Sequence, residues 1–328
     1  MKMISFAAIS VAMAVASPAL AQSAQPSASS YPNKSIRLVV PSAPGGGTDI
    51  IARLIGQGLT EAWGQTVVVD NRGGGGGTVG VAIVAKATPD GYTMLLGSVG
   101  HLTFAPVVRP SLPYHAQKDL APITIAANQP FLLAAAPSLP VKSVSELIAL
   151  AKSKPGDIKY GSGGVGSASH LGIALLELQT GISMLHVSYK GSNPALTAVM
   201  GGEIQLVIAG LATVLPHMKA GRVRGLAVTG SKRAQVAPEL PTAGEAGAKG
   251  YAFDVWYGLV FTGGTPRAIV QRANAEIVKM LKSPDMNKRF LTQGVEPLTS
   301  TPQEFAARID SEIANWRKVV QAANIKIE

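Results

Sequence analysis

Two stretches of the 328-residue chain carry the residue types that hold anions. The first runs Leu38-Val39-Val40-Pro41-Ser42-Ala43-Pro44-Gly45-Gly46-Gly47-Thr48-Asp49. The second, about 120 positions later, runs Ile158-Lys159-Tyr160-Gly161-Ser162-Gly163-Gly164-Val165-Gly166-Ser167-Ala168-Ser169-His170. Each reads as a strand, a glycine loop and a hydroxyl entering a helix. A helix N-terminus presents unpaired N–H groups and about half a positive charge, and glycine lets a ligand approach the backbone closely. Gly46, Gly47 and Thr48 at the first loop, with Gly164, Ser162, Ser167 and Ser169 at the second, are therefore candidate anion ligands. The competing reading is that Thr48 and Ser167 only cap their helices. Two such loops in one chain weigh toward a ligand.

Other chemistry is thinly supported. Gly75-Gly76-Gly77-Thr78-Val79-Gly80 and Gly161 to Gly166 both fit G-x-G-x-x-G. A dinucleotide site also wants an acid at the end of the following strand to hold the ribose. That place is taken by Gly97-Ser98 in one case and by Tyr189-Lys190 in the other. Walker A, G-x-S-x-G and H-E-x-x-H patterns are absent. Without cysteine, disulfides, thiolate metal sites and thiol nucleophiles are excluded. The five histidines are scattered along the chain, so no metal site, no cofactor and no catalytic residue is expected. A pairing of Ser162 with His170 or His101 stays open, but it lacks a third orienting group.

The chain opens with Lys2, an apolar run from Met3 to Val15, and small residues ending Ala19-Leu20-Ala21. This is the plan of an export signal, cleaved after Ala21, and the run is shorter than the ~20 residues that span a bilayer. A soluble periplasmic protein with a flexible lead over 22–30 is expected. The formal net charge is +10, which favours anionic partners. The basic residues are scattered and aromatics are only 5%, so a nucleic-acid surface is not expected.

The elements that position these loops alternate. Ile36 to Pro41, Val67 to Asp70, Thr93 to Gly97, Ile158 to Ser162, His186 to Tyr189, Gln205 to Ala209 and Gly225 to Thr229 read as strands, most followed by amphipathic segments. Such alternation means α/β with largely parallel sheets. Ser143-Val144-Ser145-Glu146 and Thr301-Pro302-Gln303-Glu304 read as capping boxes, and Thr265-Pro266 as a helix start. Beyond it, Ile269, Ala273, Ile277, Leu281, Phe305, Ile309, Ile313 and Trp316 form core-facing stripes.

The motifs stand in a recognisable order. Tyr31-Pro32, Pro44 to Asp49, Asp70-Asn71-Arg72, Pro89-Asp90-Gly91-Tyr92-Thr93, Tyr160-Gly161-Ser162, Gly166 to His170, Tyr189-Lys190-Gly191 and Trp256-Tyr257-Gly258 resemble the Bug/TctC family. These are periplasmic solute-binding proteins of tripartite tricarboxylate transporters. The resemblance implies a two-lobed, type II periplasmic-binding-protein fold, each lobe a mostly parallel sheet flanked by helices. Lobe 1 would comprise 31–127 plus 251–328 and lobe 2 128–250, with crossings near Asn128-Gln129-Pro130 and Lys249-Gly250-Tyr251. It implies a monomer that captures a small organic mono- or dicarboxylate and delivers it to membrane permease subunits.

Carried over, Gly46, Gly47, Thr48 and Asp49 belong to the first-lobe loop and Ser162, Gly164, Ser167 and Ser169 to the second, with Ser98 and His101 as additions. Asp49 is expected to brace its loop, because like charges repel. The chain departs from the family at Ser188, where relatives usually carry proline, and at Ala209-Gly210, where many carry Asp-Asn. Loss of that acid removes an ammonium partner and points to an unaminated carboxylate. An exported hydrolase or reductase and a ligand-sensing subunit remain the alternatives.

Overall fold

The computed structural model describes residues 30–322 apart from 43, 46, 110, 166 and 190. The signal segment expected over 1–21, and residues 22–29 of the lead expected over 22–30, lie outside the described residues. No described helix is long and apolar enough to cross a membrane.

Two sheets organise the chain. In the first, β1 (Ile36–Val40) pairs in parallel with β2 (Val67–Asn71) and β3 (Thr93–Ser98). Then β10 (Val255–Thr262) runs antiparallel between β3 and β4 (Leu120–Gln129), and the two-residue β11 (Glu296–Pro297) closes the far edge. In the second sheet, β6 (Lys159–Ser162) lies parallel between β7 (Leu185–Ser188) and β8 (Leu206–Gly210). There β5 (Phe131–Ala135) runs antiparallel between β8 and β9 (Arg224–Val228). The two sheets follow one plan, and each contains one antiparallel strand inserted beside three parallel ones. That inserted strand is in both cases the first one after the chain passes over from the other sheet.

Helices cover the sheets where apolar spacing demands it. Helix α1 (Gly47–Trp63) buries Ile51, Ile55 and Leu59, one face at a spacing of four, while α2 (Thr78–Ala85) buries Val81 and Val84. Ser143 caps α4 (Val144–Ser153) by accepting from the Glu146 amide, and the Glu146 carboxylate reaches back to the Lys142 amide. At α10 (Pro302–Ala322) the box closes fully: Thr301 accepts from the Glu304 amide, and Glu304 accepts from the Thr301 amide. The apolar stripes of α8 (Arg267–Leu281) and α10 are buried throughout.

The chain passes over at Gln129-Pro130, directly from β4 to β5, and returns before β10. On the return, Tyr251 donates to the Gly172 carbonyl and the Phe253 amide to the Thr229 carbonyl, both contacts with the second sheet's surroundings. Phe104, Phe253 and Trp316 meet near this return, with the Phe104 and Trp316 rings edge to face at 4.4 Å. The largest apolar core runs without a break from the first sheet through α5 (Ala168–Thr180) to one face of the second. A smaller core fills the opposite face of the second sheet.

Candidate ligand-binding site

Both sheets direct the carboxyl ends of their parallel strands toward a cavity of ≈ 340 Å³. Gly76, Ser98, Val99, His101, Arg109, Val255 and Tyr257 line it from the first sheet's side, and Phe131, Val165, Ser167 and Ala168 from the second. This is the crevice that α/β sheets build where strand order reverses.

Ser98 ends β3, and the chain then turns through a wide helical turn, Gly100–Phe104, into the short α3 (Ala105–Val108). The turn brings His101 back beneath Ser98. Its Nδ1 accepts from the Ser98 amide at 3.1 Å and lies 2.9 Å from the Ser98 hydroxyl. That amide contact assigns the proton of the neutral ring to Nε2. Burial pushes the His101 pKa down to about 4, so the ring is a neutral donor at pH 7. Its Nε2 edge faces Gly77, which has φ +91, and a methyl there would strike the ring. Glycine at 77 thus serves close approach as well as backbone conformation.

The first glycine loop reaches the cavity through Tyr257. Thr48 hydrogen-bonds the Tyr257 hydroxyl, and that hydroxyl donates to Gln129 Oε1 at 2.8 Å. Burial pushes the Tyr257 pKa up to about 12, against the Thr48 bond, so the phenol stays a neutral donor. Gly47 lies against the Gln129 side chain, as does Gly210 at the end of β8. Gln129 therefore touches α1's first residue, β10 and the second sheet at once. Gly46 lies outside the described residues. Asp49 is buried and does not line the cavity: its Oδ2 accepts from the Gly45 amide at 2.8 Å and pairs with Arg53 at 3.0 Å. Burial raises its pKa, but the Gly45 and Arg53 bonds outweigh that and hold it below the usual carboxylate range.

At the second loop the hydroxyls divide their work. Ser167 caps α5, accepting from the His170 amide, and lines the cavity. Ser169 is buried, accepts from the Gly163 amide at 2.9 Å and lies 3.1 Å from the Ser167 hydroxyl. The Ser162 hydroxyl bonds both the amide and the carbonyl of Gly164 and sits 2.6 Å from His186 Nε2. Ser162 is 0% exposed, and its hydroxyl is already shared with Gly164 and His186. Behind them the Tyr160, His186 and His170 rings stack, with His170 and His186 centroids 4.1 Å apart. Burial, helped by the neighbouring His186, pushes the His170 pKa down to about 4. No cluster of three or more metal-ligating side chains occurs among the described residues.

Tyr257, Gln129, Phe131 and Arg109 were not identified as site residues in the sequence. Tyr257 carries the one available signal, a polar tip in the otherwise apolar run from Val255 to Phe261.

A cavity lined by hydroxyls from two matching α/β units and by Arg109, with no acidic side chain among its described residues, is the geometry of a receptor that closes on an anion. Residues 51–325 match a family model described as "Tripartite tricarboxylate transporter family receptor". The chain belongs to this family. These are periplasmic solute-binding receptors rather than enzymes. The receptor is 35% identical over 303 residues to Protein BugT of Bordetella pertussis, covering 92% of this chain and 93% of the relative. A solved structure described as R. palustris Rpa4515 with adipate is 37% identical with a TM-score of 0.79, covering 90% of the receptor and 99% of that chain. MatC from Rhodopseudomonas palustris, solved with bound malate, is 32% identical with a TM-score of 0.74, covering 88% of the receptor and 100% of that chain. The receptor shares the two-lobed periplasmic-binding fold with these solved structures.

Proposed function

We propose that this receptor captures a small organic carboxylate between its two lobes and hands it, as a monomer, to the membrane subunits of a tripartite transporter. The observation that carries the reading is the cavity wall: the Ser98 hydroxyl on one side, the Ser167 hydroxyl on the other and the Arg109 guanidinium line it, and no acidic side chain does so among the described residues. A carboxylate is matched by such a wall, because helix N-termini, hydroxyls and a guanidinium all stabilise an anion. The carboxylates named with the two solved relatives, adipate and malate, support the ligand class.

In this reading lobe 1 is 31–127 plus 251–328 and lobe 2 is 128–250. Ser98, His101 and Ser167 face the ligand, with Gly47 and Thr48 presented beside Tyr257 and Gly46 assigned to the same loop from the sequence alone. Asp49, Ser162, Gly164 and Ser169 hold the two loops in shape. The signal segment is removed after Ala21, and the exported chain is released into the periplasm. Ala209 and Gly210 leave the end of β8 without a carboxylate, which favours a ligand lacking an ammonium group. Native mass spectrometry of purified receptor, followed by calorimetry with a panel of carboxylates and their neutral amides, tests the function. Heat with the acids and none with the amides is expected; equal binding of both would overturn it.

A further inference from the structure

We propose that Arg109 recognises a second anionic group on the ligand, so that the site selects α,ω-dicarboxylates over monocarboxylates of the same chain length. The inference rests on reading the cavity as a carboxylate site and adds to it the ligand's second charge.

Arg109 is the one charged side chain lining the cavity among the described residues, His101 being neutral there. It has no acidic partner among the described residues. Arg37, Arg53, Arg233, Arg289 and Arg308 are each held by an aspartate or glutamate. The guanidinium lies against Gly76, whose φ is +65 and where a methyl would collide with Nη2. The glycine loop before α2 thus leaves the room that the cation occupies. Nearby, Tyr114 supplies no counter-charge: its hydroxyl donates to the His101 carbonyl, and burial pushes its pKa up against the opposing influence of Arg109.

The remaining wall explains why a second carboxylate, rather than a bare chain end, suits this cation. Val99, Phe104, Ala105, Val108, Phe131 and Val255 are apolar and fit a methylene body. At about 30 Å³ per water-sized group, the ≈ 340 Å³ cavity accommodates roughly ten heavy atoms, the size of a diacid with four to eight carbons. With a diacid, one carboxylate takes the hydroxyls of Ser98 and Ser167, and the other takes the planar fork of Arg109 by paired N–H donors. With a monoacid, closure partly desolvates the guanidinium against an alkyl end and returns nothing for it.

Calorimetry with butanedioate, hexanedioate and octanedioate, each against the monocarboxylate of equal length, tests the assignment on wild type, R109Q and R109K. Wild type is expected to favour at least one diacid over its matched monoacid by roughly ten- to a hundredfold, the worth of a charge-assisted contact. R109Q should remove that preference by bringing diacid affinity down to that of the matched monoacid, and R109K should restore part of it, a charge requirement that a merely structural role does not share. Melting temperatures without ligand establish that the variants are folded. Equal binding of diacid and monoacid to wild type, or equal weakening of both in R109Q, overturns the role of Arg109 and leaves the carboxylate reading standing. Binding of neither class to wild type overturns both.

Discussion

Replacing Tyr257 by phenylalanine removes one oxygen at the point where three parts of the receptor meet. In the structure that hydroxyl donates to Gln129 Oε1 at 2.8 Å and is bonded by Thr48, while the Tyr257 ring is almost wholly buried between β3 and β4. A neutral hydrogen bond contributes about 1 kcal/mol net, and a buried partner left unsatisfied costs about 1 to 3 kcal/mol. Two partners are left here, both half-buried, so a stability loss of about 2 kcal/mol follows by urea unfolding. Thr48 also loses the group that aligns it, which weakens hexanedioate binding by about tenfold in calorimetry. Because both partners converge on one oxygen, the perturbation is not additive with a change at Gln129. A double-mutant cycle of Tyr257→Phe with Gln129→Leu should give a coupling of about 1 kcal/mol. Additivity within about 0.3 kcal/mol, or unchanged affinity in Tyr257→Phe, would refute the argument that Tyr257 and Gln129 act as one unit.

Three further outcomes are expected. Ser167→Ala should weaken carboxylate binding by about 1 to 3 kcal/mol, whereas Ser143→Ala, which removes the cap of α4 away from the cavity, should cost about 1 kcal/mol of stability and leave affinity alone; calorimetry and urea unfolding on both variants separate the roles. His101 and His170 have folded pKa values lowered to about 4, so the unfolded chain takes up protons first as the pH falls, and stability should decline from about pH 6.5 to pH 4. Glu177, raised to about 6 by burial, opposes this between about pH 6 and pH 4.5, and His101→Gln should flatten the acid slope in unfolding midpoints measured at steps across that range. Finally, a ligand that must satisfy donors on both lobes has higher affinity for the closed form, so the radius of gyration by small-angle scattering should fall on saturation with hexanedioate; an unchanged radius would mean a preformed pocket.

Seven strands were legible in the sequence, because each is a short β-branched run followed by a loop and, for most, an amphipathic segment. Apart from the two-residue β11, the strands that were not legible were β4, β5 and β10. β4 runs into β5 across Gln129-Pro130, where proline reads as a break, and β10 is apolar on both faces because it lies between two neighbours under helices. Their identity as strands is settled by partners far away in sequence.

The site shows the same division. Ser167, Ser98 and His101 line the cavity, and each stands at the end of a strand or the start of a helix, where sequence gives position. Ser162 and Ser169 look no different on paper, yet their hydroxyls are used by Gly164, His186 and Gly163. Residue type marks a hydroxyl but not the direction in which it is spent. Arg109 carries no local pattern at all, since its meaning comes from Gly76, thirty-three positions earlier in the chain.

The insertion of β10 between β3 and β4 bears on how the polypeptide acquires its shape while it is being made. Residues up to Gln129 hold β1, β2, β3 and β4, but the strand that joins β3 to β4 begins at Val255. Until it arrives, β3 and β4 each keep an unpaired ribbon edge, and the first sheet exists only as a three-stranded fragment. β5 to β9, by contrast, lie in one uninterrupted stretch and can pair as soon as they emerge. The half that begins first is therefore completed last, with a loop of well over a hundred residues to close, an ordering that slows folding and favours a chain still loose enough to be threaded through a membrane pore.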